Sequence, residues 1–159
     1  MKFTKILPML IILVGLLFMT PDTAKAQANG QGGNFGLGIM LGEPTGISIK
    51  SWNTSRSAFD LGAAWSFGRN DALHIHGDYL LHSWLTGIEE GDLAFYYGVG
   101  ARLVLSDPDA RAGIRVPIGL NYIIPNSQVD LFVEAVPILN FTPSTDFDGN
   151  GALGIRYYF

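Results

Sequence analysis

Apolar and polar positions alternate with a period of two over most of the chain from Asn34 onward. In residues 95–105, for example, odd-numbered positions are apolar or aromatic, while even-numbered positions include Gly98, Gly100 and Arg102. Such alternation predicts β-strands with one apolar face, and no comparable run has a helical period. The predicted strands are 35–42, 46–52, 59–67, 73–81, 95–105, 114–122, 129–141 and 150–159.

Eight segments of about ten residues favour one closed sheet. A strand that crosses a bilayer at a tilt needs about 9–11 residues, and closing the sheet leaves no unpaired edge for lipid to meet. We therefore predict an all-β fold, an eight-stranded antiparallel up-and-down transmembrane β-barrel. Pro137 lies inside the seventh segment and predicts a bulge or the end of pairing there, because proline cannot donate to the ladder.

The N-terminal region has the features of a cleavable export signal. Lys2 and Lys5 precede an apolar run over residues 6–18, and residues 24–26 read Ala-Lys-Ala. The run is shorter than the roughly 20 residues of a spanning helix. We predict a signal peptide over 1–26, cleaved near Ala26, a short lead over 27–33 and the barrel over 34–159.

Composition narrows the class of function. The predicted mature chain has seven basic and thirteen acidic residues, a formal charge of −6, which argues against nucleic acid. The chain has no cysteine, which excludes disulfides, thiol chemistry and a lipoprotein anchor. We also predict no cofactor. Hydrophobic residues make up 48% of the sequence without a second apolar run of spanning length, a conflict that a transmembrane barrel resolves.

Ionisable residues share the small-residue face of the predicted strands, which in a barrel is the inner face. Because the lumen of eight strands is only wide enough for side chains, we expect opposite charges to pair and fill it. A narrow polar channel lined by the same residues is the alternative. The predicted lumen network is Lys50, Asp60, His74, His76, Asp78, Arg102, Arg115, Glu134 and Arg156.

The chain ends on "GIRYYF", where Tyr157 and Phe159 share the apolar face and suit an aromatic girdle. Bacterial outer-membrane barrels commonly end in such a strand, whose final phenylalanine is read by the insertion machinery. Tyr157 and Phe159 are therefore a predicted insertion signal. More broadly, "GIMLGEPTGISIKSWN", "AFDLGAAWSF", "YYGVGARL" and "IRVPIGLNYI" resemble a family of small outer-membrane β-barrel proteins of the OmpA/OmpX barrel type.

This resemblance implies a location in the outer membrane of a Gram-negative-type bacterium, with no established activity. The partners it implies are outer-membrane lipid and lipopolysaccharide, with periplasmic chaperones and the barrel-assembly machinery during biogenesis. With both termini periplasmic, the outer loops are predicted around 42–45, 68–71, 106–111 and 142–149. The inner turns are predicted around 53–56, 83–92 and 124–128. Such short outer loops disfavour a large receptor surface.

Two motifs resemble sequences that bind metal ions in other proteins. "HIHGD" places His74, His76 and Asp78 on one strand face, as in His-x-His sites, although lumen residues bonded to Arg102 or water are the favoured interpretation. "DFDGNG" from Asp146 resembles the start of a calcium loop, but Tyr157 stands where the bidentate glutamate belongs. We interpret it as an acidic turn and predict no metal site.

The predicted function is a structural or membrane-integrity role without enzymatic activity. The competing hypotheses are a narrow pore for small solutes, a periplasmic lipocalin-like ligand-binding barrel, and a lipid A-modifying enzyme. The last needs a nucleophile and a histidine within reach of acyl chains. The histidines have lumen parity and Ser66 is the one inward serine on the neighbouring strand, so no catalytic residue is predicted.

Overall fold

The computed structural model describes residues 33–43, 45–66, 72–106 and 110–159, the side chains of residues 65 and 66 excepted. The predicted signal peptide, nearly all of the lead and the predicted loop tips at 68–71 and 107–109 lie outside these residues. The described strands are β1 (Phe35–Glu43), β2 (Gly46–Trp52), β3 (Ser57–Ser66), β4 (Ala72–Trp84), β5 (Asp92–Ser106), β6 (Ala110–Arg115), β7 (Ile118–Ile123), β8 (Val129–Thr142) and β9 (Asp146–Tyr158).

These strands form one closed antiparallel sheet. From β1 to β5 each strand pairs with the next along the chain, β8 pairs with β9, and β1 closes the ring by pairing with β9. Because β6 and β7 both lie between β5 and β8, they are two segments of a single barrel strand. The predicted eight-stranded barrel is confirmed. Within the described residues, no helix has the length and apolarity needed to cross a membrane.

The sixth barrel strand is broken, which corrects the prediction of one uninterrupted strand over 114–122. The break falls at Val116 and Pro117, where proline lacks the N–H that a ladder requires. Backbone bonds bridge it: Gly98 N donates to Pro117 O at 2.9 Å, and Val116 N donates to Pro137 O at 3.0 Å. The sheet therefore stays closed across the interruption.

Pro137 neither bulges nor ends β8, but pairing on one side of β8 is interrupted there, as predicted: β6 pairs with β8 as far as Ile138, and β7 pairs with it only from Ala135. Pro137 lies opposite Gly149 in regular register with β9, and its carbonyl accepts from Val116. The register shift lies elsewhere, between Ala112 and Gly113 in the pairing of β6 with β8. Val116 lies opposite Pro137 and donates to it, so the N–H that proline lacks is the one that would have returned a ladder bond to Val116.

Residues 146–149 belong to β9 and not to a loop, which corrects the predicted loop 142–149 and the predicted acidic turn. Asp146 pairs with Asn140, and Asp148 pairs with Ile138. The connection between β4 and β5 is likewise shorter than predicted, covering 85–91 instead of 83–92. We call the end of the barrel where β1 begins and β9 ends the terminal end, and the opposite end the far end.

The barrel is apolar outside and polar inside. Large apolar side chains project outward along every described barrel strand, as shown by Val99 and Leu153, each 57% exposed. Lys50 and Asn121, in contrast, are fully buried inside. In a water-soluble protein this distribution is reversed.

Candidate functional site in the barrel interior

Arg156 is the centre of the buried charge network. Its strand, β9, alternates so that Arg156 and Tyr158 face inward while Tyr157 faces outward. Arg156 Nη1 donates to Asp60 Oδ1 at 2.7 Å, and Nε donates to Asp130 Oδ1 at 3.0 Å. Tyr158 Oη donates to the second oxygen of Asp130 at 2.7 Å. One guanidinium thus joins carboxylates from β3 and β8, the geometry that a buried charge requires.

Arg115 of β6 forms a second group of ion pairs. Its Nη2 donates to Glu134 Oε1 at 3.1 Å, and Tyr96 Oη donates to the other oxygen of Glu134 at 3.0 Å. Arg115 Nε also lies 3.1 Å from Asp78 Oδ1, but outside hydrogen-bond geometry. This group joins β4, β5, β6 and β8 through the interior.

Lys50 lies among aromatic rings in the half of the barrel nearer the terminal end. Its Nζ donates to Asn121 Oδ1 at 2.5 Å and lies 2.8 Å from His82 Nε2. The ammonium is 4.3 Å from the centre of the Trp52 ring and 5.5 Å from that of Tyr96, distances typical of cation–π contacts. Aromatic rings and this ammonium therefore fill the lumen here.

The far end is more open. A cavity of about 360 Å³ is lined there by residues that include Glu43, His74, Arg102, Arg111 and Asp148. Arg102 Nη2 donates to Asp148 Oδ2 at 2.5 Å and to Asn140 Oδ1 at 2.9 Å. An ion pair thus lines a polar vestibule.

The nine predicted network residues all face the interior, but they do not form one network. Lys50, Asp60, Asp78, Arg102, Arg115, Glu134 and Arg156 have the polar or ionic partners described above. His74 and His76 have no hydrogen bond among the described residues, and neither bonds to Arg102. His74 is half-buried at the vestibule, whereas His76 is buried. Tyr157 and Phe159 face outward.

Several partners were missing from the predicted network. Asp130 and Asn121 have inward parity on β8 and β7, so alternation alone was a sufficient signal for them. Asn140 has the same inward parity within the predicted strand 129–141. Asp148 was missed for a different reason: the segment around it resembled a loop, which has no inward face. The pairing of β8 with β9 extends to Asp148 and directs its side chain inward.

A closed antiparallel barrel, apolar outside and filled with paired charges inside, is the architecture of small outer-membrane β-barrels. Comparison with solved structures agrees on the fold. The chain is similar to the crystal structure of the N-terminal β-barrel domain of Pseudomonas aeruginosa OprF, with a TM-score of 0.57 and 14% sequence identity over 81% of this chain and 100% of that one. No protein-family model and no curated protein matches the sequence.

Proposed function

We propose that this chain is an integral outer-membrane β-barrel protein with a structural role and a lumen closed by its own side chains. The observation that carries the proposal is the buried network of Arg156, Arg115 and Lys50, whose partners come from strands around the whole barrel. The fold shared with the OprF domain supports the location. The terminal end faces the periplasm and the far end faces outward.

The outer surface supports residence in a membrane. Leu37, Phe59, Tyr97, Val133 and Ile155 are each between 42% and 51% exposed, and they lie on five different strands. Monomeric soluble proteins rarely expose a continuous apolar surface of this extent. A lipid bilayer covers it without cost, and the closed sheet leaves no backbone edge to satisfy.

The interior supports a closed lumen. Arg115, Arg156 and Lys50 are each at most 2% exposed, so the charges are not lining a water column. The vestibule at the far end reaches Arg102 and His74, while Trp52 and Tyr96 fill the other half. A pore would require several ion pairs to separate together. We therefore favour the structural role over solute conduction.

A ligand-binding barrel and a lipid A-modifying enzyme are less well supported by this interior. A lipocalin-like barrel binds apolar ligands in an apolar cavity, whereas this interior contains the buried ion pairs of Arg115 and Arg156, and charged side chains line the vestibule. A lipid A-modifying enzyme needs catalytic groups that acyl chains can reach. His76 and His82 are only 5% and 3% exposed and face inward, so we propose no catalytic role for them.

Single-channel conductance of the refolded protein in planar bilayers tests this proposal. Folding is first verified by the faster migration of the unboiled protein on a gel. We expect a folded barrel that shows no discrete openings. Reproducible openings of a defined size would overturn the closed lumen in favour of the narrow pore.

A further inference from the structure

Three side chains inside the barrel are arranged to bind a cation. Asp60 of β3 and His76 and Asp78 of β4 are buried, and each offers one ligand atom within 4.8 Å of the other two. His76 Nε2 lies 4.0 Å from Asp60 Oδ2. A tetrahedral zinc ion holds its nitrogen and oxygen ligands about 3.4 Å apart, so small side-chain rotations bring these atoms to coordinating distance.

The three side chains keep ligand atoms that form no hydrogen bond among the described residues. Arg156 bonds to Oδ1 of Asp60, which leaves Oδ2 on the side of His76. Asp78 is 4% exposed, and its Oδ1, although 3.1 Å from Arg115 Nε, accepts no hydrogen bond from the described residues. The His76 imidazole, 5% exposed, also forms none with them. Buried polar groups without hydrogen bonds are uncommon, and an ion is one of the partners that explains them.

Two glycines make room for these side chains. Gly62 of β3 lies opposite His76, and a Cβ built on it would lie 2.2 Å from His76 Cε1. Gly100 of β5 lies opposite Asp78, and its Cβ would lie 1.9 Å from Asp78 Oδ1. Any larger residue at either position displaces a ligand. The neighbouring strands therefore hold both side chains where they are.

The local charge also favours a cation. The ion-pair network around the cluster contains the four carboxylates of Asp60, Asp78, Asp130 and Glu134, against the three cationic side chains of Lys50, Arg115 and Arg156. One imidazole with two carboxylates is a ligand set that suits zinc and similar divalent transition metals. The vestibule at the far end is the open space nearest to the cluster along β4, because it is lined by His74, which precedes His76 by two residues on the same face.

We propose that Asp60, His76 and Asp78 form a binding site for a divalent transition metal, of which Zn²⁺ is the expected occupant. This inference goes beyond the structural role and does not depend on it. It also differs from the His-x-His hypothesis, because Asp60 replaces His74 as the third ligand. Asp60 is 16 residues away from His76 in the sequence, and only the pairing of β3 with β4 brings the two together.

The test uses the full folded chain in detergent micelles, first treated with a chelator. Zn²⁺ is titrated by calorimetry, and bound metal is counted by elemental analysis. We expect one Zn²⁺ per chain. His76→Ala should weaken binding by more than about 100-fold, since loss of a partner that only supports a ligand already costs about 10–100-fold. His74→Ala is the matched control, on the same strand and face, and should bind like the original chain.

X-ray absorption of the zinc-loaded original chain keeps the test independent of any variant that fails to fold. We expect a single histidine nitrogen together with oxygen ligands. No Zn²⁺ uptake by a folded barrel would overturn the proposal, as would equal binding by His76→Ala. Loss of binding in His74→Ala, or two histidine nitrogens at the metal, would overturn it in favour of the His-x-His site.

Discussion

Arg156 Nη1 and Asp60 Oδ1 lie 2.7 Å apart although their strands, β9 and β3, are not neighbours in the sheet. The strands β1 and β2 lie between them on the shorter way around the barrel. The ion pair therefore spans the lumen instead of following the barrel wall. Backbone ladders fix each strand only to the next one, so a contact of this kind adds stability across the barrel.

Arg156→Met should lower the free energy of unfolding by about 3–5 kcal/mol, because it leaves Asp60 and Asp130 buried without their cation. Urea titration in lipid vesicles, followed by tryptophan fluorescence, measures this change. Arg56→Met is the control, since Arg56 is exposed in the turn before β3. Equal stability of both variants would contradict a stabilising network.

Glu134→Ala should destabilise the barrel by about 3 kcal/mol, because Arg115 and Tyr96 each lose a buried partner. The same variant should remain silent in planar bilayers, since Lys50 and the aromatic rings still fill the lumen. Glu89→Ala, in the exposed turn after β4, serves as the comparison. New conductance at unchanged stability would argue that Glu134 gates a pore.

Val99→Arg should make folding into vesicles less favourable by about 2–4 kcal/mol, because it places a cation on the lipid face near the middle of a strand. Val99 is central in β5 and 57% exposed. Ile88→Arg introduces the same charge in the 85–91 turn, where Ile88 is an exposed apolar residue, and should destabilise the barrel far less. Folding yield on unboiled gels against urea measures both. Equal destabilisation by Val99→Arg and Ile88→Arg would contradict the placement of Val99 against the lipid.

Phe159→Ala should slow assembly in cells while leaving spontaneous folding into vesicles nearly unchanged. Phe159 is 64% exposed, and its backbone N–H, which the variant keeps, donates to Phe35 O at 2.9 Å. Pulse labelling of the heat-modifiable form measures the rate in cells. Phe147→Ala, in β9 at the far end, is the control and should assemble normally. A matching defect in vesicles would show that Phe159 matters for packing and not for recognition.

The alternation of apolar and polar residues predicted most of the strands of this barrel, because the direction of a side chain depends only on its position within its own strand. A side chain two positions along a strand points to the same face, so the inward set from Lys50 to Arg156 followed from parity. Exceptions arose at prolines. Pro117 and Pro137 each lack the N–H that would return a ladder bond to the residue opposite, and pairing of the sixth barrel strand is interrupted at both, whereas β8 keeps its pairing with β9 through Pro137.

The number of strands, the two faces of each strand and the closure of the sheet therefore follow from the spacing of residues along the chain. The choice of which charges meet depends on the arrangement of the strands in space. Strand pairing places Asp60 beside His76, and barrel closure places it beside Arg156, although β1 and β2 separate their strands. The register between strands and the closure of the ring set these contacts, and neither is encoded by the period of a single strand.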